Sequence, residues 1–98
     1  MKAKEYSGWY NYNVWNVMLY IGNESDLYDF EQQFFREYYL KKIKFSTFKQ
    51  RMNQLGRMAH QRSDIKNEKL TKKEILEIRK GINRDYKEQK GYWDEHGV

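Results

Sequence analysis

Trp9-Tyr10-Asn11-Tyr12-Asn13-Val14-Trp15-Asn16-Val17-Met18-Leu19-Tyr20-Ile21 holds two of the three tryptophans and three of the nine tyrosines, with no charged residue. The rest of the chain is far more polar, since 34% of all residues are charged. Large aromatic side chains bury roughly 150–250 Å² each and dominate cores and interfaces. The run is therefore either the centre of a small core or a contact surface. Trp15, Met18 and Leu19 recur at helical spacing, with Val14, Val17 and Ile21 beside them. A helix apolar nearly all round is buried on more than one side. Asn13 is the expected N-cap, because its side-chain oxygen suits a free amide of the first turn. Gly22-Asn23 is the expected end, since both residues tolerate a left-handed backbone. A buried β-strand competes, because valine and aromatic residues also favour strands.

Outward from this run, the sequence predicts three more helices and an all-α, single-domain bundle of about four over residues 1–98, with 1–10 and 91–98 as the loosest parts. The second helix starts at Ser25 or Asp26. Leu27, Phe30, Phe34 and Tyr38 form its apolar face, broadened by Tyr28, Phe35 and Tyr39. Its early acids and its late Lys41 and Lys42 both complement the helix dipole. The third is expected to start at a Ser46 cap, with Phe48, Met52, Leu55 and Ala59 as its buried stripe. Gly56 interrupts that stripe at a cost of about 1 kcal/mol against alanine, so it is either slack or a point of close approach. Gln61 to Lys69 reads as a loop in which Ile65 is the lone periodic apolar residue. Thr71-Lys72-Lys73-Glu74 is a capping box, with Leu70 and Ile75 placed as a hydrophobic staple. Ile75, Ile78 and Ile82 then form a narrow stripe. The expected core is Trp15, Leu19, Leu27, Phe30, Phe34, Phe48, Met52 and Leu55, joined by Ile75, Ile78 and Ile82.

Composition narrows the function. The 98 residues contain neither cysteine nor proline, which excludes a disulfide framework and thiolate metal sites. No stretch approaches the ~20 apolar residues of a membrane span, and the N-terminus lacks the apolar run of a signal peptide. A soluble cytoplasmic protein is expected. No phosphate-binding glycine loop appears. His60 and His96 are the only histidines, so paired-histidine zinc motifs are missing. His60 and Asp64 sit four apart, a spacing that could bring them to one face, but two ligands do not make a specific site. Ser7, Ser25, Ser46 and Ser63 lack a nucleophile-elbow context, and nothing singles out a carboxylate pair. No catalytic, metal or cofactor residue is assigned, and the chain is expected not to be an enzyme.

Charge is more informative. The net +5 is uneven: residues 1–40 carry −3, whereas residues 41–73 place eleven Lys and Arg against only Asp64 and Glu68, a net +9. Lys41, Lys42, Lys44, Lys49, Arg51, Arg57, Arg62, Lys66, Lys69, Lys72 and Lys73 are thus candidate contacts for an anionic partner, nucleic acid included. The plain alternative is a solvated lysine-rich face. The aromatics lie mostly in the acidic half, away from these cations, and no helix-turn-helix spacing is evident. Trp9, Tyr10, Tyr39, Tyr92 and Trp93 fall outside the regular stripes. They are the candidate aromatic contacts for a protein partner, a class of interface in which such side chains are enriched. The opposed charges of the two halves also permit head-to-tail homo-oligomers.

Tyr12 to Glu24, followed by Leu27-Tyr28, resembles the start of a family of small bacteriophage proteins. Those carry a Thr-Trp-Asn-Val core, a nearby Leu-Trp, then Asn-Asp or Asn-Glu and a Leu-Tyr. Trp15, Asn16, Val17, Leu19, Asn23, Glu24, Leu27 and Tyr28 match. Val14 replaces the usual threonine, which moves the capping role to Asn13, and Tyr20 replaces the usual tryptophan. The resemblance covers about the first third of the chain. It implies phage origin and an all-helical accessory protein, without implying an activity. Small phage proteins without enzymatic motifs often inhibit host machinery, including defence systems such as CRISPR effectors. By that analogy the expected role is binding and inhibition of a host protein or ribonucleoprotein, in host takeover or in anti-defence of, for example, the anti-CRISPR kind. A basic nucleic-acid-binding module is the alternative.

Overall fold

The structure, a computed structural model, describes residues 6–98. It contains four helices, as expected: α1 (Tyr12–Asn23), α2 (Ser25–Tyr39), α3 (Phe45–Arg62) and α4 (Lys72–His96). From Tyr12 onward the aromatic run is helical and not a strand, while Trp9 precedes the helix in an isolated bridge to Tyr6. Its cap is Asn11, not Asn13: Asn11 Oδ1 accepts from the Val14 amide at 3.0 Å. Asn13 is drawn instead to Glu74, to which its Nδ2 donates at 3.0 Å. No left-handed residue ends α1. A single extended residue, Glu24 (φ −94°, ψ 116°), separates it from α2. The expected Ser46 cap is also displaced, because α3 starts at Phe45 with Lys44 in the cap position and no side-chain bond there.

α2 closes with Lys41 at φ 62°. The Lys41 amide donates to the Tyr38 carbonyl at 3.0 Å and the Lys42 amide to the Glu37 carbonyl at 2.8 Å. This is the paired bonding of a left-handed helix end, normally occupied by glycine. The capping box of α4 forms in full: Thr71 Oγ1 accepts from the Glu74 amide at 3.0 Å, and Glu74 Oε1 accepts from the Thr71 amide at 2.8 Å. α4 then runs through residues 91–96 to a C-cap at Gly97.

The core differs from expectation mainly in the phase of α1. Leu27, Phe34, Phe48, Met52, Leu55, Ile78 and Ile82 are buried as expected. Trp15 and Phe30 are only partly buried, while Leu19 is 37% exposed and Ile75 47%. The α1 residues facing inward are Val14, Val17, Met18 and Ile21, a 3-1-3 stripe. The line through Trp15 and Leu19 lies to one side of it, and Trp15 packs against Tyr6 and Tyr12 (centroids 4.8 and 5.5 Å). At the centre, the Tyr38 ring stacks on Phe48 (4.2 Å, 11°) and Tyr86 meets both Phe48 and Phe35. Gly81 allows α4 to approach α1: a Cβ there would sit 2.8 Å from the Trp9 ring and 3.3 Å from Met18.

A polar lock ties the α3–α4 loop to α1. Asn16 is fully buried. Its Nδ2 donates to Asp64 Oδ2 at 3.0 Å, and its Oδ1 accepts from the Asp64 amide at 2.9 Å. Tyr20 donates from its hydroxyl to Asp64 Oδ1 at 2.8 Å. A second lock joins the two helix N-termini at Glu74, whose Oε2 accepts from both Asn11 and Asn13. Burial alone would raise the Glu74 pKa, but its bonds to Thr71, Asn11 and Asn13 outweigh that and hold it below the usual glutamate value.

Candidate functional site

α3 presents its stripe of Phe48, Met52, Leu55 and Ala59 to the core, which leaves Lys49 and Arg57 exposed two turns apart on the far side. The α2–α3 turn adds Lys41, Lys42 and Lys44 at one end of the helix. Lys66 and Lys69 in the following loop and Lys72 at the start of α4 are exposed as well. None of these eight makes an ion pair among the described residues.

The other three candidate cations are engaged internally. Arg62 places both prongs on Asp26 (2.6 and 2.5 Å) and reaches Glu24 at 3.4 Å. The Asp26 bond raises the arginine pKa and lowers that of its partner. Arg51 reaches Glu37 at 3.4 Å. Lys73 pairs with Glu77 at 3.2 Å and lies 5.6 Å from the Tyr10 ring centroid. These partners sit on α2, at the α1–α2 junction or one turn along α4, so the charge imbalance of residues 41–73 is partly cancelled in space.

Between α3 and α4 lies a groove of about 400 Å³. Met52, Gly56, Leu70, Ile75 and Ile78 make its floor, and Arg57, Lys69 and Arg79 stand at its edge. Gly56 is a point of close approach, since a Cβ there would meet Ile78 Cγ2 at 3.2 Å. Ile75 is part of this surface and not of the core. Asn53 also lines the groove, and its buried Oδ1 has no hydrogen-bond partner. Such an acceptor costs about 1–3 kcal/mol until a donor reaches it. His60 lines one wall with Nε2 3.1 Å from the Ile65 carbonyl. Asp64 is committed to Asn16 and Tyr20, so the His60–Asp64 pairing considered from sequence does not form. No group of three metal-ligating side chains occurs among the described residues.

The aromatic candidates are mostly occupied. Trp93 is buried against Tyr39 (5.2 Å), with the Arg36 guanidinium 5.9 Å from its ring. The Tyr39 hydroxyl donates to Asp94 at 2.7 Å. Trp9 packs beneath Arg84 (4.7 Å), and Tyr10 beneath Lys73. Tyr92 alone of the five remains exposed, at 58%. Asn53 and Arg79 went unnoticed in the sequence. The available signal was register: Asn53 lies one turn from both Lys49 and Arg57, and Arg79 one turn from Ile75.

The fold and groove define a small all-α four-helix domain with an apolar recess edged by cations. The chain belongs to the family of unknown function DUF7249, matched over residues 2–95. No curated protein and no solved structure matches it. Among the described residues, no helix is long and apolar enough to cross a membrane.

Proposed function

We propose that this protein is a non-enzymatic phage accessory protein that binds a host protein or ribonucleoprotein in the cytoplasm of the infected cell and blocks it. The observation that carries the reading is the α3–α4 groove, whose apolar floor and cationic edge face outward without ion-pair partners among the described residues. Such a surface fits an apolar side chain of the target ringed by acidic residues. Burial of the floor would supply affinity, and the unpaired cations would supply orientation and association rate. Asn53 Oδ1 offers an acceptor for one donor from the target. Phage origin rests on the resemblance of residues 12–28, and inhibition of a defence system on class analogy.

Direct nucleic-acid binding is the second reading, favoured by the eight unpaired cations. Against it stands the state of the candidate rings: four of the five are buried, bonded or covered by cations, although Phe45 beside Lys44 is exposed. Single-strand binding uses free rings for sequence-tolerant affinity.

The test is capture from host lysate, with and without nuclease, by wild type and by the Arg57→Glu, Lys69→Glu double variant. A protein retained after nuclease by wild type and lost by the variant is the expected result. Retention of nucleic acid alone, with affinity falling steeply in salt, replaces the first reading by the second.

A further inference from the structure

A second recess, of about 550 Å³, lies where α1, α2 and α4 meet. Its acids are Glu31 from α2 and Asp85 and Glu88 from α4. Glu31 is only 4% exposed, and its Oε2 is buried with no hydrogen-bond partner. None of the three acids makes an ion pair among the described residues. Among the described residues, no lysine or arginine lines the recess. Tyr28 and Tyr92 stand at it with exposed rings.

Burial of an unpaired charge is costly, so the Glu31 carboxyl, lining the recess with no hydrogen-bond partner for Oε2, holds its proton until a cation arrives to pair with the ionised form. We propose that this recess receives the guanidinium of an arginine side chain presented by a partner protein. The recess is the size of a side chain or small molecule, not of a folded element. A guanidinium is planar, weakly hydrated and two-pronged, so it satisfies a carboxylate pair and lies against aromatic rings at the same time. This assignment rests on the reading that the protein acts by binding another protein.

The empty site stores a proton. Burial, and then the charge of Asp85, push the Glu31 carboxyl up to about 8. Burial, and then Glu88, also raise Asp85, while Arg84 pulls it down. α1 contributes only Met18, Ile21 and Gly22 here, so it brings no charge. At neutral pH an entering guanidinium therefore displaces the Glu31 proton to solvent, and affinity rises with pH until Glu31 is ionised in the free protein.

The experiment is titration of the isotope-labelled full chain with N-acetylarginine amide, followed by NMR at pH 6.5 and 8.5, with N-acetyllysine amide in parallel. Saturable shifts at Glu31, Asp85, Tyr28 and Tyr92 are expected, with affinity at least about tenfold higher at pH 8.5. Glu31→Gln keeps the shape, removes the charge, and is expected to weaken binding at pH 8.5 by about tenfold or more and to abolish the pH dependence. Asp85→Asn is the second variant and is expected to weaken binding without abolishing the dependence. Absence of saturable shifts, equal affinity in Glu31→Gln, or equal binding of the lysine probe overturns the assignment. If the arginine probe fails while nuclease-resistant capture through Arg57 and Lys69 persists, the recess assignment falls alone. If the probe binds as expected and no host protein is captured, the protein-binding reading falls and the guanidinium site stands.

Discussion

Replacing Asn16 by alanine tests the polar lock between α1 and the α3–α4 loop. The side chain is fully buried and makes two bonds to one residue 48 positions away. One goes to a carboxylate, a type worth about 1.5–3 kcal/mol, and one to a backbone amide, a type worth about 0.5–1.5 kcal/mol. Asp64 is exposed and keeps its Tyr20 bond, so water recovers part of the loss. The expected net cost is about 2–4 kcal/mol, a large share of the 5–15 kcal/mol typical of a domain. Urea unfolding followed by tryptophan fluorescence should then show a midpoint lower by about 1–2 M with an unchanged slope. Asp64→Ala should be costly too, because it strands the buried Asn16 Nδ2. The double variant should cost less than the two singles combined, by about 1–2 kcal/mol. Hydrogen exchange at the Asp64 amide should accelerate in Asn16→Ala. An Asn16→Ala penalty below about 0.5 kcal/mol, or simple additivity of the two variants, would show that the lock contributes nothing.

Lys41→Gly should stabilise the protein by about 0.5–1 kcal/mol, because glycine adopts the left-handed backbone at φ 62° without the lysine penalty; an equal or lower thermal midpoint counts against this. Glu31→Gln should flatten the pH dependence of stability. The folded pKa of about 8 lies above the ordinary 4.5, so the wild-type contribution is fully present below pH 4.5 and lost as pH rises through 8. The full loss is on the order of 5 kcal/mol, and parallel urea midpoints for the two proteins between pH 5 and 8.5 would refute it. Glu74→Gln should cost about 1–3 kcal/mol at neutral pH through lost charge-assisted bonds. Its folded pKa is depressed, so the wild-type advantage is present above pH 4.5 and should shrink as pH falls below that value; an advantage that persists at pH 3 contradicts the assignment. In the lysate assay, Arg57→Glu with Lys69→Glu should lose the captured protein without lowering the unfolding free energy by more than about 0.5 kcal/mol, since neither residue makes an internal ion pair among the described residues.

Helix identity was readable because its determinants lie within one or two turns. Thr71 and Glu74 are three residues apart, and Phe48, Met52, Leu55 and Ala59 recur at four, three and four. Their outcome needed no knowledge of the rest of the chain. The candidate site was legible only as a list of cations. Which of them were free depended on Asp26, Glu24 and Glu37, which lie 14 to 38 residues from the arginines they hold. Glu31 was legible in principle, as a lone acid one turn from both Leu27 and Phe34 on an apolar face.

From sequence alone came the all-α architecture, the four segments, the α4 capping box and most of the core on α2, α3 and α4. Tertiary packing alone decided which side of α1 faces inward, because a helix apolar around its whole circumference carries no local preference for direction. It also moved Asn13 from a cap to a tether, turned Ile75 outward into a groove, and left Glu31 without a partner. Each of these outcomes depends on contacts between residues far apart in the chain. Such contacts leave no local pattern, because their energy appears only once the helices meet.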